Sequence, residues 1–188
     1  MVTYGGRFRA PMESYHGVPS GWTKADVIEA HRSLRGTFLL DGQEATEPGA
    51  PRWQVDRRNW LQYRATLYRV ADGVRAKDGA CIELAVRYIE LRHIGSYSGF
   101  IRSRLARTLK GASLTADQIE RLNCVFLSMV LRHDYTQEFS EYVKVWQRIV
   151  SPAAMKVLVE LAATRKSDKR CVWLRRLTAQ SEIESGST

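Results

Sequence analysis

Apolar residues recur every three to four positions along most of this chain, and polar residues fill the positions between them. From Asp56 to Leu177 this spacing is typical of amphipathic helices, each of which buries one stripe and exposes the other. Residues suited to helix capping come before several of these stripes. We therefore predict an all-α protein of six to eight helices. The predicted helix starts are at Thr23, Asp56, Asp78, Ser98, Thr115, Thr136, Ser151 and near Ser167.

The apolar stripes also predict which residues form the core. On the helix that follows Ser98, the residues Ile101, Leu105 and Leu109 share one stripe. The three cysteines, Cys81, Cys124 and Cys171, each lie within an apolar helical pattern. We predict that they are reduced core residues, because a free cysteine packs like a small hydrophobic side chain.

The first 51 residues follow a different pattern, with glycine and proline breaks. Residues 2–4 and 7–9 form either a short β-hairpin around Gly5 and Gly6 or a loose arm, and residues 37–40 are predicted to form a strand. Residues 41–51 are polar and rich in proline and glycine, which is typical of a loop. We predict a small irregular N-terminal appendage with one helix at residues 1–51 and a helical domain at residues 52–186.

A weak internal repeat runs through the predicted helical domain. The helix starts at Asp78, Thr115 and Ser151 are 37 and 36 residues apart, and the sequence L-R-H at 91–93 recurs at 131–133. In this spacing, residues 78–186 resemble the two-helix units of HEAT and armadillo repeat proteins, whose period is about 40 residues. The resemblance implies a short stack of antiparallel helix pairs and a binding scaffold, and it transfers no functional residue. A helical bundle would give nearly the same pattern, so both architectures stay open.

The net charge of +9 is concentrated in residues 52–110, which contain 13 basic and 5 acidic residues. Such asymmetry favours a polyanionic partner, most often nucleic acid, although a basic surface also keeps a protein soluble. On the helix after Ser98 the cations lie opposite the apolar stripe, with Arg102 at its border. The candidate nucleic-acid-binding residues are Arg57, Arg58, Arg102, Arg104, Arg107 and Lys110.

Aromatic residues alternate with arginines at 52–64 and again at 171–176. Aromatic stacking combined with cationic contacts is how proteins hold single-stranded nucleic acids without sequence preference. The helical spacing nevertheless assigns Trp60 and Trp173 to the core. Whether any of these rings meets a ligand is left open by the sequence.

The sequence contains no motif for catalysis, nucleotide binding or metal binding beyond what chance would produce. The chain contains no G-x-G-x-x-G, no G-x-x-x-x-G-K and no C-x-x-C, and the pair Glu90 and His93 lacks the second motif that a di-iron bundle requires. We therefore expect no enzyme, no catalytic residue, no metal and no cofactor. No apolar run approaches the roughly 18 residues that span a bilayer. Together with an N-terminus that lacks a signal-peptide core, this predicts a cytoplasmic protein that does not enter membranes.

The resulting hypothesis is a non-enzymatic helical protein whose basic segment binds DNA or RNA, for example as a subunit of a larger nucleoprotein assembly. The alternative is a HEAT-like adaptor that binds another protein, one with an acidic surface. Steep loss of nucleic-acid binding with added salt would favour the first hypothesis, because phosphate contacts release counterions.

Overall fold

The structure is a computed structural model that describes residues 17–40 and 52–164, with side chains from Gln54 onward in the second range. All regular structure in these residues is helical, with no strand, so the predicted all-α fold is confirmed. The predicted hairpin near residues 2–9 and the helix after Ser167 lie outside the described residues. The helices are α1 (Lys24–Ser33), α2 (Arg52–Arg75), α3 (Gly79–Leu91), α4 (Ser98–Leu109), α5 (Ala116–Leu131), α6 (Phe139–Ile149) and α7 (Pro152–Thr164).

Four of the helix starts are confirmed by their capping hydrogen bonds. Thr23 with Asp26, and Thr115 with Gln118, form complete capping boxes at α1 and α5. The Asp78 carboxylate accepts a hydrogen bond from the Cys81 amide at the start of α3. At α7 the hydroxyl of Ser151 accepts one from the Ala154 amide at 3.1 Å, and Pro152 is the first helical residue.

Two predicted starts are wrong, and at α4 the start is correct but the expected Ser98 cap is not. Helix α2 begins at Arg52, because no helix breaker separates Pro51 from Asp56. Helix α4 is capped by Tyr97, and Ser98 is its first residue; the Ser98 hydroxyl donates to the Gly95 carbonyl instead of capping the helix.

The second wrong start is Thr136. Helix α6 begins only at Phe139, and the Thr136 hydroxyl has no hydrogen-bond partner within the described part of the chain. The strand predicted at residues 37–40 is also wrong. The amides of Thr37 and Phe38 bond to the Asp78 side chain, which removes them from any strand ladder.

The helices pack in two layers. Helix α4 lies between α2 and α6, while α3 packs against α2, α4 and α5, and α1 lies against α2 and α3. We call α2, α4 and α6 the basic layer, and α3 and α5 the acidic layer, after the charge that is in excess in each. Arg64 of α2 contacts Tyr97 at the start of α4, and Asp72 contacts Arg104 further along, so α2 and α4 run in the same direction within their layer.

One core fills the space between the layers. Ile101, Leu105 and Leu109 are buried as predicted, and so is Cys81. Cys124 is exposed, so the prediction for it is wrong; it lies on the outer side of α5, away from the stripe that buries Leu122 and Phe126. Cys171 lies outside the described residues. Val27 and Leu40 belong to the same core as the later helices, and the boundary at residue 51 stays a prediction.

Helix α2 ends with a lysine in a backbone conformation that favours glycine. Lys77 has φ 64°, its amide bonds to the Val74 carbonyl, and the Asp78 amide reaches back to Gly73. This is a Schellman arrangement, in which glycine is the usual residue at the left-handed position.

We expect the substitution Lys77→Gly to raise the free energy of unfolding by about 1 kcal/mol. A residue with a Cβ in the left-handed conformation costs roughly 1–2 kcal/mol. Glycine avoids this cost but loses more backbone entropy on folding, which offsets part of the stabilisation. The measurement is urea denaturation, where the midpoint should rise with an unchanged slope. Lys77→Ala is the control, since it removes the same charge and keeps the strained φ. An equal increase in stability in both variants would show that removal of the Lys77 charge, and not relief of the strained φ, is the cause.

Candidate nucleic-acid interface

Charge divides between the two layers. The sequences of α2, α4 and α6 contain eleven basic and three acidic residues, whereas those of α3 and α5 contain two basic and four acidic residues. The basic stretch found in the sequence at 52–110 is therefore not one surface. Helix α3 interrupts it and lies in the acidic layer.

Within the acidic layer the cations are paired. Arg121 of α5 bonds to Glu90 and Glu83 of α3 and to Asp117 of its own helix. The hydrogen bond to Glu90 makes the largest contribution to raising the pKa of the Arg121 guanidinium above its ordinary value. The hydrogen bonds to Glu83 and Asp117 raise it further. Arg87 is within 2.7 Å of Glu83. These pairs join α3 to α5 and leave that layer little positive potential.

Four of the sequence-predicted site residues lie on the exposed side of the basic layer. Arg57, Arg107 and Lys110 are exposed. The Nε of Arg107 is 4.0 Å from a Glu141 oxygen, a distance too long for a hydrogen bond. Arg104 is half-buried, bonded to Asp72 at 3.0 Å and stacked over the Tyr68 ring at 4.8 Å.

Two guanidinium nitrogens in this layer are buried without a hydrogen-bond partner among the described residues, Nη1 of Arg58 and Nε of Arg104. A buried donor left unsatisfied costs roughly 1–3 kcal/mol, so each such donor calls for an explanation. Both belong to residues that the sequence assigned to the site.

Arg102 is placed differently from the sequence prediction. Its side chain lies inside the core, where the residue is 5% exposed; Nε donates to Glu138 at 2.5 Å and Nη1 donates to the carbonyl of His93. The charge is neutralised by a residue of the α5–α6 connection. Arg102 is therefore a structural residue, and it leaves the candidate set.

Sequence reasoning missed the most exposed aromatic residues of this surface. Tyr97 and Phe100 are 48% and 65% exposed, and their ring centroids are 5.6 Å apart. Arg64 of α2 lies over the rings of both Trp60 and Tyr97, at 5.0 and 5.1 Å. The alternation of arginine and aromatic residues at 52–64 includes Trp60 and Arg64, which both contact Tyr97. Trp60 is buried as predicted, and the exposed rings come from the start of α4.

These residues form a continuous surface along the two parallel helices. Arg64 contacts Tyr97 at the start of α4, and Arg104 contacts Tyr68 and Asp72 further along. At 1.5 Å per residue, the surface is roughly 25 Å long from Arg57 to Arg107. We call it the α2–α4 face, defined by Arg57, Arg64, Tyr97, Phe100, Arg104 and Arg107.

Tyr97 occupies a strained position in this face. Its φ is 61°, in the left-handed region that a bulky residue rarely adopts, at a cost of about 1–3 kcal/mol. The ring is held in place by an edge contact with Trp60 at 5.5 Å and by the Arg64 guanidinium. Strained residues of this kind are found disproportionately at functional sites.

A second group of reactive side chains lies elsewhere, where α1 meets α3. His31, Asp78 and Cys81 are buried, and their possible ligand atoms lie within 4.8 Å of one another. The Asp78 oxygens already accept hydrogen bonds from His31, from the Cys81 amide and from residues 37 and 38. Burial raises the pKa of the Cys81 thiol well above its ordinary value, which keeps it protonated. We interpret this group as a structural junction.

Comparisons of the chain with protein-family models, with curated proteins and with solved structures find no match. The likeness to HEAT and armadillo repeats therefore stays a prediction. None of the helices in residues 17–40 and 52–164 combines the length and apolarity needed to cross a lipid bilayer.

Proposed function

We propose that the protein binds nucleic acid through the α2–α4 face and that this binding, rather than catalysis, is its function. The observation that carries the proposal is the division of charge between the layers: α2, α4 and α6 contain eleven basic and three acidic residues, and Arg57, Arg107 and the adjoining Lys110 are exposed. Clustered arginine and lysine on one face is the electrostatic signature of a protein that contacts phosphates.

The geometry favours contacts with the backbone of the nucleic acid over contacts with base edges. Arg57, Arg107 and Lys110 are spread along and just beyond the face, as a chain of phosphates requires. Arg104 is fixed against Tyr68 and Asp72, so it supplies charge without reaching far from the surface. Phosphate contacts carry no sequence information, and little preference for sequence is expected.

The test is the salt dependence of binding to a labelled oligonucleotide of mixed sequence. We expect the triple variant with Arg57, Arg107 and Lys110 changed to alanine to bind more weakly. Its slope of log affinity against log salt should flatten by up to about 0.7–0.9 for each phosphate that the variant no longer neutralises. The slope matters more than the affinity at one salt concentration, because it reports how many phosphates the protein neutralises.

A matched control removes the same charge from other places. Arg32, Arg87 and Arg132 are exposed and lie outside the basic layer. Their triple alanine variant has the same net charge as the first, so it should keep most of the binding and the slope. Equal weakening in both variants, or no binding by the unmodified protein at low salt, would overturn the proposal.

One observation supports the alternative of a protein-binding adaptor. Leu91 and Leu131 are exposed at the ends of α3 and α5, and Ile94, three residues after Leu91, is 85% exposed. An ion pair between Arg92 and Asp134 holds these two ends together. Exposed apolar residues that cluster are typical of protein-binding surfaces. An absence of nucleic-acid binding at low salt would favour this alternative.

A further inference from the structure

We infer that the α2–α4 face selects single-stranded nucleic acid, with an unpaired base stacked on Phe100. The inference rests on the proposed function and adds to it the class of ligand. It commits to DNA or RNA with unpaired bases, and a duplex is the competing outcome of the test.

Two exposed aromatic rings lie at the start of α4. Phe100 is 65% exposed, at a helical spacing that places it on the same side of α4 as Arg104 and Arg107, and Tyr97 supports it on one side. Tyr97 is itself supported by Trp60, whose ring is buried. The aromatic series therefore runs from the core outward and ends in a ring that is open to solvent. Such a ring offers a flat apolar surface beside cationic groups, which suits a nucleobase.

The backbone of Tyr97 is strained. A tyrosine at φ 61° is unfavourable, and glycine would fit the same position without strain. The α4 cap makes no side-chain hydrogen bond that would explain the choice of tyrosine. What the tyrosine adds is the ring that contacts Trp60, Arg64 and Phe100. The strain is thus associated with keeping an aromatic ring at the surface.

Cations lie before and after Phe100 along the α2–α4 face. Arg64 lies over the Tyr97 ring at 5.1 Å, and Arg104 lies one helical turn beyond Phe100. A strand whose base stacks on Phe100 would therefore place its phosphates between cations on both sides. In a duplex the bases are already stacked on one another, so the Phe100 ring would gain no partner.

The experiment compares Phe100→Ala with the unmodified protein on two probes. One probe is a labelled single strand of mixed sequence, and the other is the duplex formed with its complement. We expect the unmodified protein to prefer the single strand. Phe100→Ala should weaken binding to the single strand by about 5- to 150-fold, the range for removal of one base–aromatic stack. Its binding to the duplex and its salt slope should stay unchanged.

Three further variants separate stacking from general damage. Phe100→Trp should restore binding to the single strand, because any aromatic ring supplies the stack. Ile94→Ala removes an apolar side chain that is even more exposed, at 85%, and should have no effect. Tyr97→Gly should keep the fold, since glycine suits the left-handed position, and should still weaken binding to the single strand.

The outcomes distinguish this inference from the proposed function. Unchanged affinity of Phe100→Ala for the single strand, with a weakened Arg57, Arg107 and Lys110 variant, would overturn the inference and keep the proposed function. Equal weakening on both probes, or a preference of the unmodified protein for the duplex, would overturn it as well. Failure of the unmodified protein to bind either probe at low salt would overturn both.

Discussion

Replacing Glu138 with alanine should lower the free energy of unfolding by about 3–5 kcal/mol, the cost of leaving one member of a buried ion pair without its partner. Glu138 and Arg102 are 4% and 5% exposed and 2.5 Å apart. In the variant, the Arg102 guanidinium still bonds to the His93 carbonyl, but the carboxylate that balances its charge is gone. Water cannot take the place of that carboxylate without opening the core.

The surroundings of this pair explain why the destabilisation should be large. Tyr63, Tyr88 and Tyr142, from α2, α3 and α6, are fully buried close to it. Burial raises the pKa of Tyr88 to about 12, and burial raises the pKa of Tyr63 and of Tyr142 further still, so all three hydroxyls stay neutral. The hydroxyls of Tyr63 and Tyr88 bond to each other. These tyrosines therefore supply no negative charge to replace Glu138.

The measurement is urea denaturation, with the double variant Arg102→Met and Glu138→Leu as its control. Apolar side chains of similar volume often replace a buried pair without destabilising the fold, so the double variant should recover most of the stability. A single variant as stable as the unmodified protein would show that the pair is not buried in solution. If the double variant is no more stable than the single one, the destabilisation comes from lost packing and not from the unpaired charge.

Replacing Asp78 with alanine should lower the free energy of unfolding by at least about 3 kcal/mol, because the buried donors of His31 and Cys81 each lose a partner at a cost of roughly 1–3 kcal/mol and α3 loses its cap. The Asp78 carboxylate accepts hydrogen bonds from the amides of Thr37, Phe38 and Cys81 and from His31 Nε2, at 2.6–3.0 Å. The same substitution removes the cap of α3 and releases α1 from it. Thermal melts followed by circular dichroism would measure the destabilisation.

The contribution of Asp78 should also depend on pH. Burial by itself would raise the pKa of this carboxyl, but the backbone hydrogen bonds outweigh it and hold the pKa well below the ordinary value of 3.8. The stabilisation is therefore complete above pH 3.8 and disappears as the pH falls further below it. Asp78→Asn keeps the size and one acceptor oxygen, so it should destabilise the protein less and flatten this acid dependence. Melts of Asp78→Ala identical to those of the unmodified protein would contradict the assignment.

The parts of the fold that the sequence predicts correctly depend on residues close together in the chain. Thr115 caps α5 through Gln118, three residues later, and the stripe of Ile101, Leu105 and Leu109 repeats every four. Such local relations do not depend on how the helices pack against one another. They are enough to predict an all-α fold and four helix starts from their caps.

The errors come from partners that are distant in the chain. Arg102 lies at the edge of the apolar stripe, and only Glu138, 36 residues later, makes its burial tolerable. Residues 37–40 have the composition of a strand, yet the amides of Thr37 and Phe38 donate hydrogen bonds to the Asp78 side chain. Asp78 lies 41 and 40 residues further along the chain. No periodicity encodes either pairing.

The candidate site shows the same limit. Arg57, Arg104, Arg107 and Lys110 follow from charge and helical spacing; Arg57, Arg107 and Lys110 are exposed, whereas Arg104 is half-buried against Tyr68 and Asp72. Tyr97 and Phe100 stand in a short glycine-rich stretch whose pattern predicts only a loop leading into a helix. Their exposure depends on where α2 places Trp60 and Arg64, which is decided only once the helices have packed.

Within residues 17–40 and 52–164, the segregation of charge also produces an electric dipole directed from the acidic layer towards the basic layer. In the field of an extended polyanion such a body rotates as it approaches, so α2 and α4 reach the surface first. This pre-orientation raises the rate of productive encounters at low ionic strength, and it fades once the Debye length falls to about 10 Å or less. A cation-exchange matrix would orient the protein in the same way, with the acidic layer facing outward.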